Sequence, residues 1–416
     1  MTKKSDAPAI RFKGFSDAWE QRKLSELTSM HARIGWQNLR TSEFLDSGNY
    51  MLITGTDFND GAINFSTCHY VERERYEQDR NIQIHNGSIL ITKDGTLGKV
   101  AYVQGLSMPA TLNAGVFNVQ IKDANNVDEK YLFQYLKAPF LMDYVDKKAT
   151  GGTIKHLNQS ILVDFPVILP QRSEQTLIGA FFQQLDNLIT LHQRKFEKLT
   201  NVKKSMLEKM FPQNGSSYPE IRFKGFTDPW EQRKLGDVVK EITRNDPESE
   251  APIMMITANN GFIEQSERYA FNNAGESLKK YILLKKGELA YNHGASKLRP
   301  YGSCFALTTA ENARIPFVYH CFSAENQNAE FMSIELNGAE IENQLRKIVS
   351  SGARMDGLLN ISFDEYTSVS VLLPGTEEQD RIADFFRHLD NLITLHQREL
   401  EKLQNIKKSM LEKMFV

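Results

Sequence analysis

The sequence predicts an α+β protein in which two similar mixed α/β domains are separated by an antiparallel two-helix coiled coil, as a pseudo-twofold tandem duplication. Three observations support this prediction. A long helical stretch occurs twice, at residues 181–211 and 385–415. A short aromatic segment also occurs twice, at residues 10–24 and 221–235. A region of mixed strand and helix patterns follows each aromatic segment, so the order of elements repeats along the chain.

Composition limits the class of protein. With 416 residues, of which 41% are hydrophobic, the chain can form two or three domains with separate cores. Cys68, Cys304 and Cys321 have no CxxC spacing, which argues against a disulfide framework or a zinc site. We found no signal-peptide core and no run of about eighteen apolar residues, so we expect a cytoplasmic protein with no membrane contact.

The charge balance gives no global sign of nucleic-acid binding. The net charge is −2, and Lys and Arg number 13 against 16 Asp and Glu in residues 25–168 and 13 against 18 in residues 236–372. A domain that binds nucleic acid alone is usually basic. Any DNA contact would therefore use local basic stretches or a basic partner.

The two long stretches have the spacing of helices with one apolar face. They read FFQQLDNLITLHQRKFEKLTNVKKSMLEKMF and FFRHLDNLITLHQRELEKLQNIKKSMLEKMF, without Gly or Pro. Apolar or near-apolar residues recur at steps of three and four, which we call the helix seam. In the first copy these are Leu185, Ile189, His192, Phe196, Leu199, Val202, Met206 and Met210; in the second they are Leu389, Ile393, His396, Leu400, Leu403, Ile406, Met410 and Met414.

Chain geometry favours pairing of the two helices within one chain. A helix of about forty residues extends about 60 Å. The linker at residues 212–220 is short and turn-rich, so the second domain must begin near the far end of the first helix, and the second helix must run back. The alternative is a parallel homodimer through one helix, which leaves the second copy without a partner. We interpret His192 and His396 as packed seam residues, and we predict no metal site.

The predicted domains follow the repeats. Residues 1–170 form the first domain with its aromatic segment, 171–211 the first long helix, 212–220 a linker, 221–374 the second domain with its aromatic segment, and 375–416 the second long helix. Two interpretations of the aromatic segments remain open. Phe15, Trp19 and Leu24, with their counterparts Phe226, Trp230 and Leu235, either pack the start of a domain or dock another protein.

Each region between the repeats predicts short strands, a broken helix and polar loops. In the first region we expect strands at 88–91, 100–103 and 116–121, and a helix over 128–148 that Pro139 divides. In the second region a helix over 331–349 is interrupted at Gly338. Glycine-containing loops follow at 150–155 and 350–354, and a short apolar strand precedes each long helix. Binding residues tend to lie on such loops.

Known catalytic motifs are missing from the sequence. It contains no GxxxxGK[ST], HExxH, GxSxG or GxGxxG. Residues 245–248, Asn-Asp-Pro-Glu, faintly resemble the Asn-Pro-Pro-aromatic motif of amino-methyltransferases but lack the second Pro and the aromatic ring, and we interpret them as a turn. We therefore expect a chain that is not an enzyme by itself.

The ordered repeats resemble the specificity (S) subunit of type I restriction-modification systems over nearly the whole chain. The markers are the two WEQRKL segments (19–24 and 230–235), the two LDNLITLHQR segments (185–194 and 389–398) and the two KKSMLEKMF endings. The resemblance implies that each variable region is a target-recognition domain for one half of an asymmetric, interrupted double-stranded DNA sequence. It also implies two adenine methyltransferase (modification) subunits on the long helices and further restriction/translocase subunits. No cofactor is expected in this chain; S-adenosylmethionine, ATP and Mg are expected in the partner subunits.

The candidate DNA-contacting residues lie in two loops of each variable region, because Asn can read adenine and Arg or Lys guanine in the major groove, while other basic residues grip phosphate. They are Thr92, Lys93, Lys99, Thr153 and Lys155 in the first region and Asn292, His293, Lys297, Arg299 and Arg354 in the second. The alternative function is a coiled-coil scaffold whose end domains hold proteins without reading DNA. A self-contained methyltransferase or nuclease is disfavoured by the missing motifs.

Overall fold

The chain folds into two compact units in a computed structural model that describes residues 8–148, 157–258, 261–268, 275–349 and 358–415. The first unit comprises Met1–Gln193 and Arg398–Val416, and the second comprises Arg194–Gln397. Each unit therefore contains one part of each long helix. The domain boundaries predicted from the sequence assign each long helix to a segment of its own. This two-unit division does not test those boundaries, and they stay a prediction.

The helices include two long ones and several short ones. The α-helices are α1 (Leu24–Leu27), α2 (Arg73–Glu77), α3 (Glu129–Lys137), α4 (Phe140–Lys148), α5 (Gln159–Leu162), α6 (Arg172–Lys209), α7 (Ala329–Leu336), α8 (Ala339–Ile348), α9 (Phe363–Thr367) and α10 (Thr376–Met414). Turns of 3-10 helix lie at Gly35–Gln37, Thr41–Glu43, Gly55–Asp57, Arg80–Ile82, Leu235–Asp237, Gln265–Glu267 and Gly275–Lys280. The long helices are α6 and α10, as the apolar periodicity predicts.

In the part of the chain that the structure describes, the first unit contains two four-stranded sheets and two strand pairs. Its strands are β1 (Glu20–Lys23), β2 (Thr28–His31), β3 (Met51–Ile53), β4 (Phe58–Asn59), β5 (Ala62–Ile63), β6 (His69–Tyr70), β7 (Gln83–Ile84), β8 (Ile89–Thr92), β9 (Val100–Tyr102), β10 (Ala110–Leu112), β11 (Val116–Ile121) and β12 (Pro166–Leu169). The sheet orders are β2-β11-β8-β9, β6-β3-β10-β7, β1-β12 and β4-β5. All pairings are antiparallel except that of β10 with β3.

The second unit has one four-stranded sheet and three strand pairs among its described residues. Its strands are β13 (Glu231–Lys234), β14 (Val239–Glu241), β15 (Met254–Thr257), β16 (Gly261–Glu264), β17 (Ile282–Lys285), β18 (Leu289–Asn292), β19 (Ser303–Ala306), β20 (Asn312–Ile315), β21 (His320–Ala324) and β22 (Ser370–Leu373). The sheet orders are β14-β21-β18-β19, β15-β16, β17-β20 and β13-β22. These named pairs are all antiparallel.

The two units repeat one scaffold. The sheet β2-β11-β8-β9 corresponds to β14-β21-β18-β19, and the pair β1-β12 corresponds to β13-β22. The helix pair α3 and α4 breaks next to Pro139, and its counterpart α7 and α8 breaks at Gly338, because proline removes a helical N–H and glycine ends a helix at little cost. The predicted α+β duplication is confirmed, including the strand at 116–121.

Both aromatic segments pack against the core of their unit. Trp19 and Leu24 are buried, as are Trp230 and Leu235. The indole of Trp19 meets Tyr131 edge-on with ring centroids 6.5 Å apart. Strands β1 and β13 then pair with β12 and β22 in the same register, which fixes the chain just before each long helix. The packing interpretation of these segments therefore holds.

Candidate functional site

The first unit presents the loop at 92–99, which closes on Thr92. The Thr92 hydroxyl bonds the Thr96 carbonyl and accepts a hydrogen bond from the Lys99 N–H at 3.0 Å. The backbone N–H of Thr92 donates to the Lys99 carbonyl at 2.9 Å. Thr92 is fully buried and Lys99 is exposed. Thr92 thus braces the loop from inside, whereas Lys99 faces solvent.

Glycine allows this loop to lie against α4. Gly98 has a φ of 69°, in the left-handed region, and an added Cβ would lie 2.0 Å from the Met142 sulfur. A side chain at position 98 would require Met142 to move and would strain the backbone at this positive φ. Glycine therefore suits the C-terminal end of the loop.

Lys93 is half-buried at the start of the same loop. Its N–H donates to the Gly115 carbonyl at 2.9 Å, and its own carbonyl accepts from the Leu157 N–H at 2.8 Å. The ammonium lies 5.5 Å from the centroid of the Phe117 ring. The hydrogen bond to the Lys93 carbonyl thereby fixes Leu157, the first residue after the glycine-containing segment 149–156. Thr153 and Lys155 lie outside the described residues.

The second unit presents the corresponding loop at 292–302, and Asn292 and His293 anchor its first half. The Asn292 amide donates to the Ile256 carbonyl at 3.1 Å and accepts from the Gly294 N–H at 2.9 Å. The two ring nitrogens of His293 lie 2.8 Å from the Leu359 carbonyl and 2.6 Å from the Val318 carbonyl. Both side chains are therefore engaged within the unit.

Arg299 anchors the second half of that loop. Its N–H donates to the Ser296 hydroxyl at 3.0 Å, and its Nη1 donates to the Asn337 carbonyl, just beyond α7, at 2.8 Å. Lys297 is exposed between these anchors. Its equivalent in the first unit is Leu97, two residues before the exposed Lys99, so each loop presents an exposed ammonium near the same place.

In each unit an equivalent backbone hydrogen bond connects the first predicted loop to the chain that follows the second. The Leu359 N–H donates to the His293 carbonyl at 2.9 Å, as Leu157 does to Lys93. Gly294 also forms an isolated bridge with Leu358. His320 supports this junction: its ring stacks on His293 at 5.2 Å, and burial lowers its pKa. Arg354 lies outside the described residues, but the chain that follows its loop is fixed beside the 292–302 loop.

The helix seam is paired in opposite directions within each unit. Every predicted seam side chain is buried or half-buried. In the first unit Leu403, Ile406 and Met410 of α10 pack against the core that contains Leu185 of α6. In the second unit Leu199, Val202 and Met206 of α6 pack against the core that contains Leu389 of α10.

Matching ion pairs accompany the seam. Lys407 bonds the Asp186 carboxylate in the first unit. Lys203 bonds Asp390 at 2.5 Å in the second. Within the first unit, Phe182 precedes Asp186 while its partner Phe415 follows Lys407, which is the antiparallel order that the short linker predicts. Within the second unit, Phe211 follows Lys203 while its partner Phe386 precedes Asp390.

The sequence prediction missed the role of the helix ends. Phe415 stacks on Phe182 with ring centroids 5.6 Å apart, and Phe211 stacks on Phe331 at 5.7 Å in the second unit. Each aromatic end is thus part of a domain core. The signal was present in the repeated KKSMLEKMF ending, whose final Phe lies outside the seam spacing.

No described helix is long and apolar enough to cross a membrane. Among the described residues there is no group of three or more His, Cys, Asp or Glu side chains arranged to hold a metal ion.

The architecture defines a class of protein in which two loop-bearing recognition modules of one design are built onto two long helices. Residues 16–201 match the family model described as the type I restriction modification DNA specificity domain. A putative type I restriction enzyme MjaX specificity subunit from Methanocaldococcus jannaschii is 23% identical, with 94% of this chain and 92% of the relative covered. The type I restriction enzyme MjaVIII specificity subunit from the same organism is 24% identical, with 80% and 79% covered.

A solved structure has the same fold. The crystal structure of a type I restriction-modification system S subunit from M. genitalium matches 99% of both chains with a TM-score of 0.63 at 14% identity. Over most of its length the chain is similar to specificity subunits of type I restriction-modification systems, and residues 16–201 match the DNA specificity domain of that family. These similarities support a role in DNA specificity for the chain.

Proposed function

We propose that each unit reads one half of an asymmetric, interrupted DNA target. The observation that carries this proposal is the repetition of one braced loop scaffold with different side chains at equivalent positions. The first unit carries Lys93 and Lys99, and the second carries His293 and Arg299 at the same places. A shared scaffold with different loop chemistry suits two related but unequal half-sites.

The placement of the loop residues divides their roles. Lys99 and Lys297 are exposed and suited to phosphate or guanine. Thr92, Asn292 and Arg299 are bonded within the unit, so they shape the loops that other groups use. Phosphate contacts supply much of the affinity for DNA. In both variable regions Asp and Glu outnumber Lys and Arg, so strong binding requires a basic partner.

We further propose that the long helices hold two copies of one adenine methyltransferase subunit. Leu188 and Leu191 on α6 are 43% and 45% exposed, and Leu392 and Leu395 on α10 are 43% and 52% exposed. These pairs are equivalent in the duplication. Large apolar side chains that recur together on a helix surface favour a protein contact, and two equivalent surfaces suit two copies of one partner.

The chemistry belongs to the partners in this proposal. The methyltransferase subunits bind S-adenosylmethionine, and restriction/translocase subunits with ATP and Mg join the same assembly. The chain itself selects the sequence and spaces the half-sites.

Methylation mapping tests the function directly. Modified adenines are mapped across the genome of cells that carry the chain with its partner subunits, and we expect one bipartite motif. Exchanging residues 236–372 for the same region of another family member should change one half of the motif and leave the other half and the spacing unchanged. A methylation pattern that does not respond to deletion of the chain would exclude the proposal in favour of the protein-binding scaffold.

A further inference from the structure

The second unit contains a cavity of about 560 Å³ where α7 and α8 face the two long helices. Its apolar wall includes Leu207, Phe211 and Phe386, and its polar side includes Glu335 and Glu340. All lining residues lie between positions 203 and 391, so the cavity belongs to the second unit alone. Aromatic rings and carboxylates together favour a ligand that has an apolar body and a positive charge.

The first unit provides an internal comparison. Tyr135 and Phe140 stand where Glu335 and Glu340 stand in the second unit. Their rings pack on Phe415, with centroids 5.4 Å and 6.2 Å away. The second unit retains the counterpart of Phe415, which is Phe211, but replaces both rings that face it with carboxylates.

The corresponding cavity of the first unit has a different lining. It measures about 490 Å³ and is lined by Phe140 and Leu411 and by charged side chains of both signs, which are Asp60, Asp143, Lys407, Lys408 and Glu412. Burial lowers the pKa of Lys407, which also lies near Lys137. The Lys407 ammonium is paired with Asp186. The cavity of the first unit therefore has no counterpart of the buried Glu335 carboxylate, since Tyr135 stands at that position.

Glu335 is a buried carboxylate at the cavity of the second unit and has no ion pair among the described residues. Its residue is 9% exposed, and the one hydrogen bond that its carboxylate makes among the described residues comes from the Leu372 N–H at 3.1 Å. Desolvation raises its pKa to about 7. A buried carboxylate without a counter-charge is unfavourable, and a cation beside it would restore the balance.

The neighbouring ion pairs leave this negative charge in place. Arg387 lies 3.1 Å from Glu330, and Lys203 lies 2.5 Å from Asp390, so these cations are already matched. Glu340 is exposed and has no ion pair among the described residues. Lys204, Glu208 and Arg299 also line the cavity. The Arg299 Nη1 donates to the Asn337 carbonyl, and its Nε is buried without a hydrogen-bond partner among the described residues.

We propose that this cavity binds a small organic cation, an amine or amidinium on an apolar body, with its charge beside Glu335 and its body against Phe211 and Phe386. Arg299 joins the cavity to the 292–302 loop. A cation bound in the cavity would therefore contact a residue of this loop and alter its conformation. The effect on DNA binding rests on the proposed function, whereas binding of the cation does not.

The test compares charged and neutral probes on the purified full chain by isothermal titration. Benzamidine and phenethylamine are the cations, and benzamide and 2-phenylethanol are their neutral counterparts. We expect each cation to bind at least ten-fold more tightly than its counterpart. Equal affinities, or no saturable binding of either cation, would overturn the proposal whatever the DNA experiments show.

Two variants and a control locate the site. Glu335→Gln removes the charge, and Glu335→Tyr places the ring of the first unit in the cavity; both should reduce cation affinity at least ten-fold. Glu377→Gln, an exposed carboxylate on α10, should leave it unchanged. Undiminished binding in Glu335→Gln would contradict the assignment. The comparison of charged and neutral probes on the wild-type chain needs no variant, so it stands even if a substitution impairs folding.

Discussion

Arg222 and Glu378 form a bidentate ion pair that joins the second aromatic segment to the first turn of α10. The guanidinium Nε and Nη2 each lie 2.7 Å from a carboxylate oxygen, and Glu378 is fully buried. Arg11 and Glu174 form the same pair in the first unit at 2.7 Å and 2.9 Å. The duplication therefore preserves a buried contact that sets where each long helix begins.

Arg222→Leu should destabilise the second unit by about 3–5 kcal/mol, because it leaves the Glu378 carboxylate buried without its counter-charge. Urea unfolding, with hydrogen exchange to assign the unit that opens, measures the change. Arg381→Ala is the matched control, since the Arg381 pair with Glu377 is exposed and should contribute less than about 1 kcal/mol. If Arg222→Leu lowers the free energy of unfolding no more than the control does, the buried ion pair does not stabilise the aromatic segment.

Leu403→Asp should loosen the packing of α10 in the first unit, and Leu199→Asp should do the same for α6 in the second. Each places an unpaired charge in a seam, at a cost on the order of several kcal/mol. Hydrogen exchange should rise along the affected helix segment while the sheets of the unit stay protected. Gln404→Asp, on the exposed face beside Leu403, should change little. Unchanged protection in both seam variants would argue against the packed pair.

Glu335→Gln should stabilise the second unit at high pH. The folded pKa is raised by burial to about 7, so the carboxyl keeps its proton longer in the folded state than in the unfolded state. The contribution of Glu335 to wild-type stability is therefore greatest at low pH and falls as the pH rises from about 4.5 to 7, by on the order of 3 kcal/mol. The gain in Tm from Glu335→Gln should be small at pH 5 and largest at pH 8.

Thermal unfolding at pH 5, 6, 7 and 8 measures this trend. Glu377→Gln, at an exposed site, should show no such dependence. A gain that is equal at all four pH values would mean that the Glu335 carboxyl is not responsible.

The sequence predicted the long helices and their pairing well because both depend on local periodicity and on one short linker. Pro139 likewise located a helix break from chemistry alone. The loops were harder, since Thr92, Asn292 and Arg299 look available for DNA in a polar sequence, yet the fold engages their side chains internally. The burial of Glu335 could be found only from the fold. Glutamate is usually exposed, and nothing in the sequence indicates that this position of α7 is buried.

Leu392→Ala combined with Leu395→Ala should weaken binding of a methyltransferase subunit without altering the fold. Both side chains are exposed, so their removal costs little stability, while a partner that covers them loses apolar contact. Co-purification and titration of the partner subunit should show affinity reduced at least ten-fold at one of two sites. The equivalent change at Leu188 and Leu191 should affect the other site. Unchanged binding of two partner copies after all four substitutions would reject these surfaces.

Lys297→Ala should weaken DNA binding by the assembled complex in a salt-dependent way. An exposed lysine that grips phosphate releases a counterion on binding, so its loss lowers the slope of log affinity against log salt by about 0.9. Lys99→Ala in the first unit should act alike. Lys286→Ala, at an exposed lysine already paired with Glu311, is the control and should leave the slope unchanged.

Arg299→Ala distinguishes bracing of the loop from direct contact. Its guanidinium is bonded to the Asn337 carbonyl, so its removal should lower affinity for the second half-site while the salt slope stays near the wild-type value. Fluorescence anisotropy at four salt concentrations, with DNA altered in either half-site, separates the two effects. If Arg299→Ala lowers the slope and Lys297→Ala does not, Arg299 is the phosphate contact, and the division of roles drawn from the loop geometry is wrong.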